Sequence, residues 1–444
     1  MSRSTRFSAR KAAAISAIAA MAVLLSVPVP ANAESSQSAP DYLVEWQGEV
    51  PAELMSPEPL PEEFRTVGNA DEKVLAALTQ LQYEHKELGI AGTEWVGDRG
   101  VTLLYATADA SEVTAIIRDY GLAGAVEYRE AAFSAEEMTE QIRKITGDDG
   151  VLPSGQAVVM AVPALDGRSI DLTLDKAGES SRAQVEIPDV GLEVRVDYGE
   201  PVTPALRNHA PSGTNQRYSG ALMHASNGCT TGFRGVRVSD SRPSMISADH
   251  CQVGGGGTGV SWYYGGGSSY GLGVAQGTLV PPTGRPDAAV WSGTGVYEMV
   301  PGLLVGGNTL GSSTLYPIKG AVTTSVGSTV CYSGAYSGTV CANQVTATGV
   351  TICYVAPYGC YTNLTLTTNT NSTPAAGNGD SGGPVYISSG SNAYAAGFIS
   401  GIQNATTTCT GDPGSTNGRQ CSDKVIYAPI IDMFDAGYAI SIIP

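Results

Sequence analysis

Residues 377–384 read GNGDSGGP, and Ser381 stands inside them among small residues. A tight surface turn is the ordinary use of Gly and Asp. A serine flanked by glycines can also be a nucleophile. Its neighbours bring no bulk, and their backbone amides can converge on one small cavity. Such a serine needs a base, usually histidine, and a carboxylate that fixes the histidine tautomer. The chain has four histidines, His85, His209, His224 and His250, all ahead of Ser381. That order excludes an α/β-hydrolase, in which histidine follows serine, although GDSGG fits G-x-S-x-G.

His250 is the expected base. It closes the apolar run SMISADH (244–250), read as a strand, and the next residue, Cys251, can tether it. His85 lies in a helical stretch and reads as structural or solvated. Between Cys251 and Gly379 the only carboxylates are Asp287 and Glu298. Asp287 heads AAVW, a strand start that would bury it beside an imidazole, whereas Glu298 reads as a loop charge. Asp240 and Asp249 precede His250 and would give the subtilisin order. Subtilisins are parallel α/β folds, which the texture of this chain does not support. Asp287 is therefore the expected acid.

The elements that must position these residues fall into two textures. Residues 34–65 are rich in Pro and Glu and read as an extended leader. Asn69 with Glu72 is expected to cap a helix over 74–88, and Ser134 with Glu137 a second one stopped by Gly147. Between them, 92–106 reads as a hairpin and 112–121 as another helix. Residues 157–173 alternate as strands around the turn Asp166-Gly167. This half is a small α/β region. From about residue 215 the helical period gives way to short runs rich in Val, Thr, Tyr and Ile between Gly, Ser and Asn turns. FRGVRVS (233–239), GVSWYYG (259–265), GTLV (277–280), AAVWSG (288–293) and AGFISGI (396–402) are examples. Such spacing indicates an all-β sandwich or barrel, with YAPIIDMFDAGYAI as an expected terminal helix. The Gly runs 254–257 and 265–267 suit tight hairpin turns. The sequon at Asn363 is treated as chance.

Charge and cysteine divide the chain at the same place. Residues 34–205 hold 33 Asp+Glu against 12 Lys+Arg, a net of −21, while residues 206–444 hold 9 of each. An acidic half argues against nucleic acid as a partner, because phosphate binding needs a basic face. All eight cysteines, Cys229, Cys251, Cys331, Cys341, Cys353, Cys360, Cys409 and Cys421, lie in the second half. An even count in an exported chain reads as disulfides. Pairing of neighbours would close four local loops, each worth about 2–3 kcal/mol by loop entropy, among the roughly 105 pairings that eight cysteines allow. There is no CxxC, and His250 is the one histidine beyond Cys229, so neither zinc nor any other cofactor is expected.

The first 33 residues set the compartment. Arg3, Arg6, Arg10 and Lys11 precede an apolar run from Ala12 to Val27, closed by Ala31-Asn32-Ala33. That is the pattern of a secretory signal peptide. The run is short of the roughly 20 residues that a membrane span needs. The expectation is a secreted, extracellular protein with residues 1–33 removed and no membrane anchor.

SADHC (247–251), PDAAV (286–290) and GNGDSGGP (377–384), in the order His, Asp, Ser, resemble the chymotrypsin-fold serine peptidases. The likeness is greatest to their secreted bacterial branch, the streptogrisins and α-lytic protease. The Cys331 to Cys341 spacing, followed by NQVTATGVT, is similar to that branch too. The resemblance covers roughly residues 215–440. It implies two six-stranded antiparallel Greek-key barrels with the active site between them. It further implies that Ser381 attacks the scissile carbonyl, His250 shuttles the proton and Asp287 orients His250. The amides of Gly379 and Ser381 would form the oxyanion hole, and Ser400 would lie on the substrate-lining strand beside Asp287. Members carry a long pro-region that assists folding and is cleaved off, a role that residues 34–205 fit in size and position, leaving 206–444 as the peptidase domain.

Two departures bear on activation and specificity. Tyr332 stands where the bacterial enzymes usually have an arginine paired with the buried aspartate beside the serine, leaving the partner of Asp380 open. Ile402 follows Ser400 and Gly401 on the lining strand where glycine is common. By alignment on Ser381 the pocket base falls at Ala375, which offers no charge for Lys or Arg, and no histidine follows Ser381 to suit glutamate. The expected activity is a monomeric secreted serine endopeptidase made as a zymogen, cutting after small to medium apolar residues. Its expected partners are protein or peptide substrates and its own pro-region. A non-catalytic protease-fold binding protein, or a permanent substrate-binding role for residues 34–205, are the alternatives.

Overall fold

The sheet that carries the site grows out of the Val-, Thr- and Tyr-rich runs of the second half. The computed structural model describes residues 40–444 except 51, 56, 58, 148, 177–184, 200–202, 205–215, 225–227, 256–257, 265–270, 283, 293–297, 307–312, 356 and 412–417. The expected signal peptide (1–33) and the 205/206 boundary lie outside the described residues. The all-β expectation holds for the second half. Strands Gly338–Tyr354, Thr329–Gly334, Pro384–Ser389, Asn392–Gln403, Lys424–Pro429 and Gly359–Asn369 pair antiparallel in that order. Gly359–Asn369 then returns to Gly338–Tyr354 and closes a six-stranded barrel. Closure leaves no open edge within that ring.

The other sheet runs through nine strands. Its middle is Arg234–Arg237, Arg242–Ser247, Ala289–Ser292, Gly271–Thr278 and Ser261–Tyr264, each antiparallel to the next. Trp262 and Trp291 meet edge-on, 5.7 Å apart, in its core, beside the Cys229–Cys251 disulfide. Near the end of the chain the expected helix over 427–440 is mostly strand. Only Ile431–Asp435 is helical, between Lys424–Pro429 and Tyr438–Ile442. The apolar residues there are claimed by two sheets, which overrides the local helical pattern.

The first half contributes its own small sheet, Ile90–Val96, Val101–Ala106 and Val126–Glu130, with the last pair parallel across the helix Ala110–Asp119. The helix Ala135–Thr146 starts at Ser134 with the expected reciprocal capping box and ends at Gly147. The cap expected at Asn69 is instead Asp71, which accepts from the Lys73 amide at the start of Glu72–Glu84. Asn69 exchanges two hydrogen bonds with the Thr329 backbone (2.7 and 2.8 Å), so a tertiary contact has taken the capping side chain.

The two halves share sheets and core. Val158–Pro163 and Ser169–Asp175 form the expected hairpin, and Val158–Pro163 pairs on its other side with Thr351–Ile352 of the closed barrel. Met138, Ile142, Ile170 and Leu172 pack with Cys353 and Cys360 in one cluster. At Gly150 (φ +72°) a Cβ would come within 2.8 Å of both sulfurs of that disulfide. The leader is bound rather than merely extended. Leu43–Glu45 lies parallel to Tyr438–Ile442, and Tyr42 stacks on Phe434 at 4.5 Å. Leu60 is fully buried in the same cluster as Phe233, Ile246 and Ile440. Removing buried methyls here leaves a cavity. Leu60→Ala should therefore lower the unfolding free energy of the full chain by about 2–5 kcal/mol in urea denaturation.

Candidate active site

His250 reaches the site from a turn of helix rather than from a strand end. The strand Arg242–Ser247 stops three residues before the end of the run read as a strand (244–250), and Asp249–Gly255 is a short helix. The disulfide from Cys251 to Cys229 ties this helix to the neighbouring strand Gly228–Thr230. Asp287 stands just before Ala289–Ser292, which pairs with the strand ahead of His250. Ser381 sits in the loop between Ala376–Gly377 and Pro384–Ser389.

That loop is fixed from several sides. Asp380, Gly382 and Gly383 donate their amides to the carbonyls of Gly377, Ile399 and Asp380. The Thr230 amide donates to the Ser381 carbonyl (2.7 Å), and its hydroxyl donates to that of Gly379 (2.9 Å). Gly382 has φ +80°, and a Cβ there would lie 1.7 Å from Ser247 Oγ. Glycine is required at this position on both counts.

The three sequence-predicted residues form one hydrogen-bonded line. His250 Nδ1 is 2.6 Å from Asp287 Oδ2, and Nε2 is 2.8 Å from Ser381 Oγ. The His250 amide also donates to Asp287 Oδ1 at 2.9 Å, holding the carboxylate by two atoms. A carboxylate accepts only, so Nδ1 carries the proton and Nε2 presents its lone pair to the serine. All three side chains are fully buried in the full chain.

Ser400 lies where the resemblance implies, donating to Asp287 Oδ2 at 2.6 Å. Its single proton is thereby used, so the Tyr354 hydroxyl, 2.7 Å away, donates to Ser400. Burial and the charge of Asp287 hold the Tyr354 phenol protonated, well above its ordinary range. Tyr354 also lies over Gly401, where a Cβ would meet its hydroxyl at 2.3 Å. Sequence reading missed this tyrosine. Its one signal is its place beside Cys353, in the disulfide loop closed with Cys360.

The open question of Asp380 is resolved by Arg419. Asp380 Oδ2 accepts from Arg419 (2.9 Å), the Ser337 hydroxyl (2.5 Å) and the Gly377 amide (2.8 Å). Its Oδ1 accepts from the amides of Tyr336 and Ser337, both at 3.0 Å. Arg419 is itself buried and donates to the carbonyls of Asn378 and Thr410. It comes from the loop closed by Cys409–Cys421. Tyr332, at the expected arginine position, is buried in the barrel core and bonded to Thr367.

Ala375 and Ile402 are buried together in an apolar cluster with Val322, Ile399, Val425 and Tyr427. Asp240, weighed as an alternative acid, lies in an exposed turn, where Arg237 and Arg242 hold its carboxyl down to about 2. Glu298 opens the strand Glu298–Gly306. Cys331–Cys341 is the fourth disulfide, and no described cysteine is free. Among the described residues one grouping, Cys229, His250 and Cys251, offers metal-ligand atoms, and its sulfurs are joined to each other. Asn363 donates its amide to Asp432, which leaves the sequon side chain engaged.

A scan against protein-family models finds no match to this chain, and a search of curated proteins finds none either. Among solved structures the chain is similar to a Nocardiopsis protease, at 25% identity over 51% of this chain and 99% of that one, TM-score 0.36. It is also similar to Thermobifida fusca protease A, with the same identity, coverage and score. A third is a glutamic acid specific serine protease described as using a histidine triad in substrate binding, at 22% identity over 50% of this chain and all of that one, TM-score 0.37. Likeness at this level adds nothing to the geometry already described.

Breaking a buried ion pair from one side leaves an uncompensated charge. Arg419→Met should destabilise the chain by about 3–5 kcal/mol in denaturant unfolding. Arg419→Lys should recover part of this, since Lys restores the charge without the planar fork.

Proposed function

We propose that this chain is a secreted serine endopeptidase of the chymotrypsin-like class, made as a zymogen. The observation that carries the reading is the unbroken line Ser381 Oγ, His250 Nε2, His250 Nδ1, Asp287 Oδ2, at 2.8 and 2.6 Å. In the reaction, Ser381 Oγ bonds to the scissile carbonyl carbon as its proton passes to His250 Nε2. The oxyanion so formed would be met by the amides of Gly379 and Ser381. His250 then gives the proton to the departing amine as the C–N bond breaks. Water, deprotonated by the same imidazole, releases the acyl group from Ser381. Asp287 keeps the required tautomer throughout and balances the imidazolium charge.

The zymogen reading is supported by two features. The triad has no exposed surface in the full chain. The backbone of Thr203–Pro204 also pairs antiparallel with Ile402 and Gly401, the edge that an extended substrate would use. On this reading residues 34–205 are the pro-region, and the mature enzyme begins at residue 206. Gly401, covered by the Tyr354 hydroxyl, would line a short uncharged pocket, with Ala375 and Ile402 packed in the barrel core behind it. It would favour Ala, Val or Leu before the cut, though one side chain of bulk discriminates by only about 1–3 kcal/mol.

A fluorophosphonate probe should label the mature wild-type protein and leave Ser381→Ala unlabelled, with peptidase activity in that variant down by about 10⁶-fold. Labelling of the Ala variant would place the nucleophile elsewhere, and an inert wild type would favour a binding protein. Mass spectrometry of the secreted wild type should give an N-terminus near Leu206, whereas Ser381→Ala should retain residues 34–205 if the chain cuts itself. Peptides varied only at the residue before the cut should show a preference for small apolar side chains. A preference for Arg, Lys or Glu would overturn the pocket assignment.

A further inference from the structure

Asp249, one residue before His250, is a further fully buried carboxylate, and the proposed reaction does not use it. Its Oδ1 accepts from the Thr278 hydroxyl (2.6 Å) and from the Gln252 amide. Its Oδ2 accepts from the Arg285 guanidinium and the Tyr361 hydroxyl, both at 3.0 Å. Four donors saturate an ionised carboxylate. They come from the helix of His250, from the strand Gly271–Thr278, from the segment before Asp287, and from Gly359–Asn369 of the closed barrel.

Arg285, whose side chain is partly exposed, is tied to the closed barrel through both its side chain and its backbone. Its guanidinium lies 4.6 Å from the centroid of the Tyr361 ring. Its amide donates to the Thr362 hydroxyl (2.7 Å), and its carbonyl accepts from the Thr362 amide (2.8 Å). Pro286, whose φ is fixed by its ring, then leads directly to Asp287. Burial and the charges of Asp287 and Asp249 keep the Tyr361 phenol protonated, so that it serves as a donor. The helix of His250 and the segment of Asp287 are thus joined by the two His250–Asp287 bonds and by Asp249–Arg285 alongside them.

We propose that Asp249, with Arg285 and Tyr361, is a positioning clamp that sets the spacing and orientation of His250 and Asp287 and references both to the closed barrel that supplies Ser381. The proposal rests on the serine peptidase reading for its effect on turnover. With the clamp cut, the two His250–Asp287 bonds and the pairing of the strands before them would remain, but the helix of His250 would lose its tie to Arg285 and Tyr361. A misplacement of about 1 Å at a catalytic group can cost on the order of 10²-fold in rate.

The test expresses the full chain and assays the secreted, matured protein, carrying Asp249→Asn, Arg285→Met, both together, or Tyr361→Phe. Asp249→Asn should lower kcat by about 10- to 100-fold, with KM within about twofold, the signature of a lost transition-state alignment. The double variant should fall no further than the worse single, because both cut one link. The proton on His250 Nδ1, observed by NMR, should move or broaden in Asp249→Asn and in Tyr361→Phe. If Asp249→Asn is not secreted folded, Tyr361→Phe, which removes one hydroxyl, decides by the same proton and a smaller fall in kcat. Unchanged kcat with an unchanged His250 proton, or fully additive losses in the double variant, would overturn the clamp. The proton is observable without turnover. A wild type that neither cleaves peptides nor takes the probe therefore refutes the peptidase reading, while the clamp is still judged by that signal.

Discussion

Asp287 is a carboxylate with no access to water, and such a charge is tolerable only when donors surround it. Its donors are the amide and ring of His250, on the helix that follows a strand of one sheet, and the hydroxyl of Ser400 from a strand of the other. The requirement to satisfy one buried anion therefore constrains how the two sheets meet. Once they meet correctly, Ser381 falls opposite the free face of the imidazole. The same logic recurs at Asp380, where five donors, one of them the buried Arg419, fix the loop behind the serine. The site is thus a set of buried carboxylates, each of which locates a backbone segment by demanding hydrogen bonds from it.

The seam between the acidic half and the second half follows a different rule. A net of −21 faces a region with no net charge, so bulk attraction between them is weak. What joins them is backbone pairing at Thr351–Ile352 and Gly401–Ile402 and shared apolar cores around Cys353–Cys360 and Leu60. Lys86 with Asp435 makes an ion pair across the seam, and its lysine is half exposed, where such pairs contribute little. Excess carboxylates can therefore stay hydrated on the outer surface while the inner face is dry.

The three residues of the hydrogen-bonded line were legible in the sequence because each left a distinct trace. Ser381 has its glycines, His250 its neighbouring Cys251, and Asp287 a near absence of rival carboxylates over more than a hundred residues. The supporting residues left none. Arg419 reaches Asp380 from 39 residues away, and Tyr361 reaches Asp249 across 112, contacts that only tertiary packing creates. Asn69 carried a sound capping signal and was diverted to Thr329, with Asp71 taking its place two residues on. The expected helix over 427–440 failed for a similar reason: its apolar spacing is equally served by two strands joined by one short turn of helix. Local pattern identified the kinds of element, and competition for partners decided their ends.

The strand Tyr438–Ile442 lies between Leu43–Glu45 on one side and Arg234–Arg237 on the other. Three segments separated by about two hundred residues each are therefore adjacent, with the last to be synthesised in the middle. Neither flanking strand can make its final pairing until the ribosome has released that stretch. Non-local pairings of this kind fold slowly, because the loops must close before the contacts form. Through most of its synthesis the nascent chain would present two unpaired strand edges awaiting one partner. This sheet must therefore be completed after translation of the second half rather than during it.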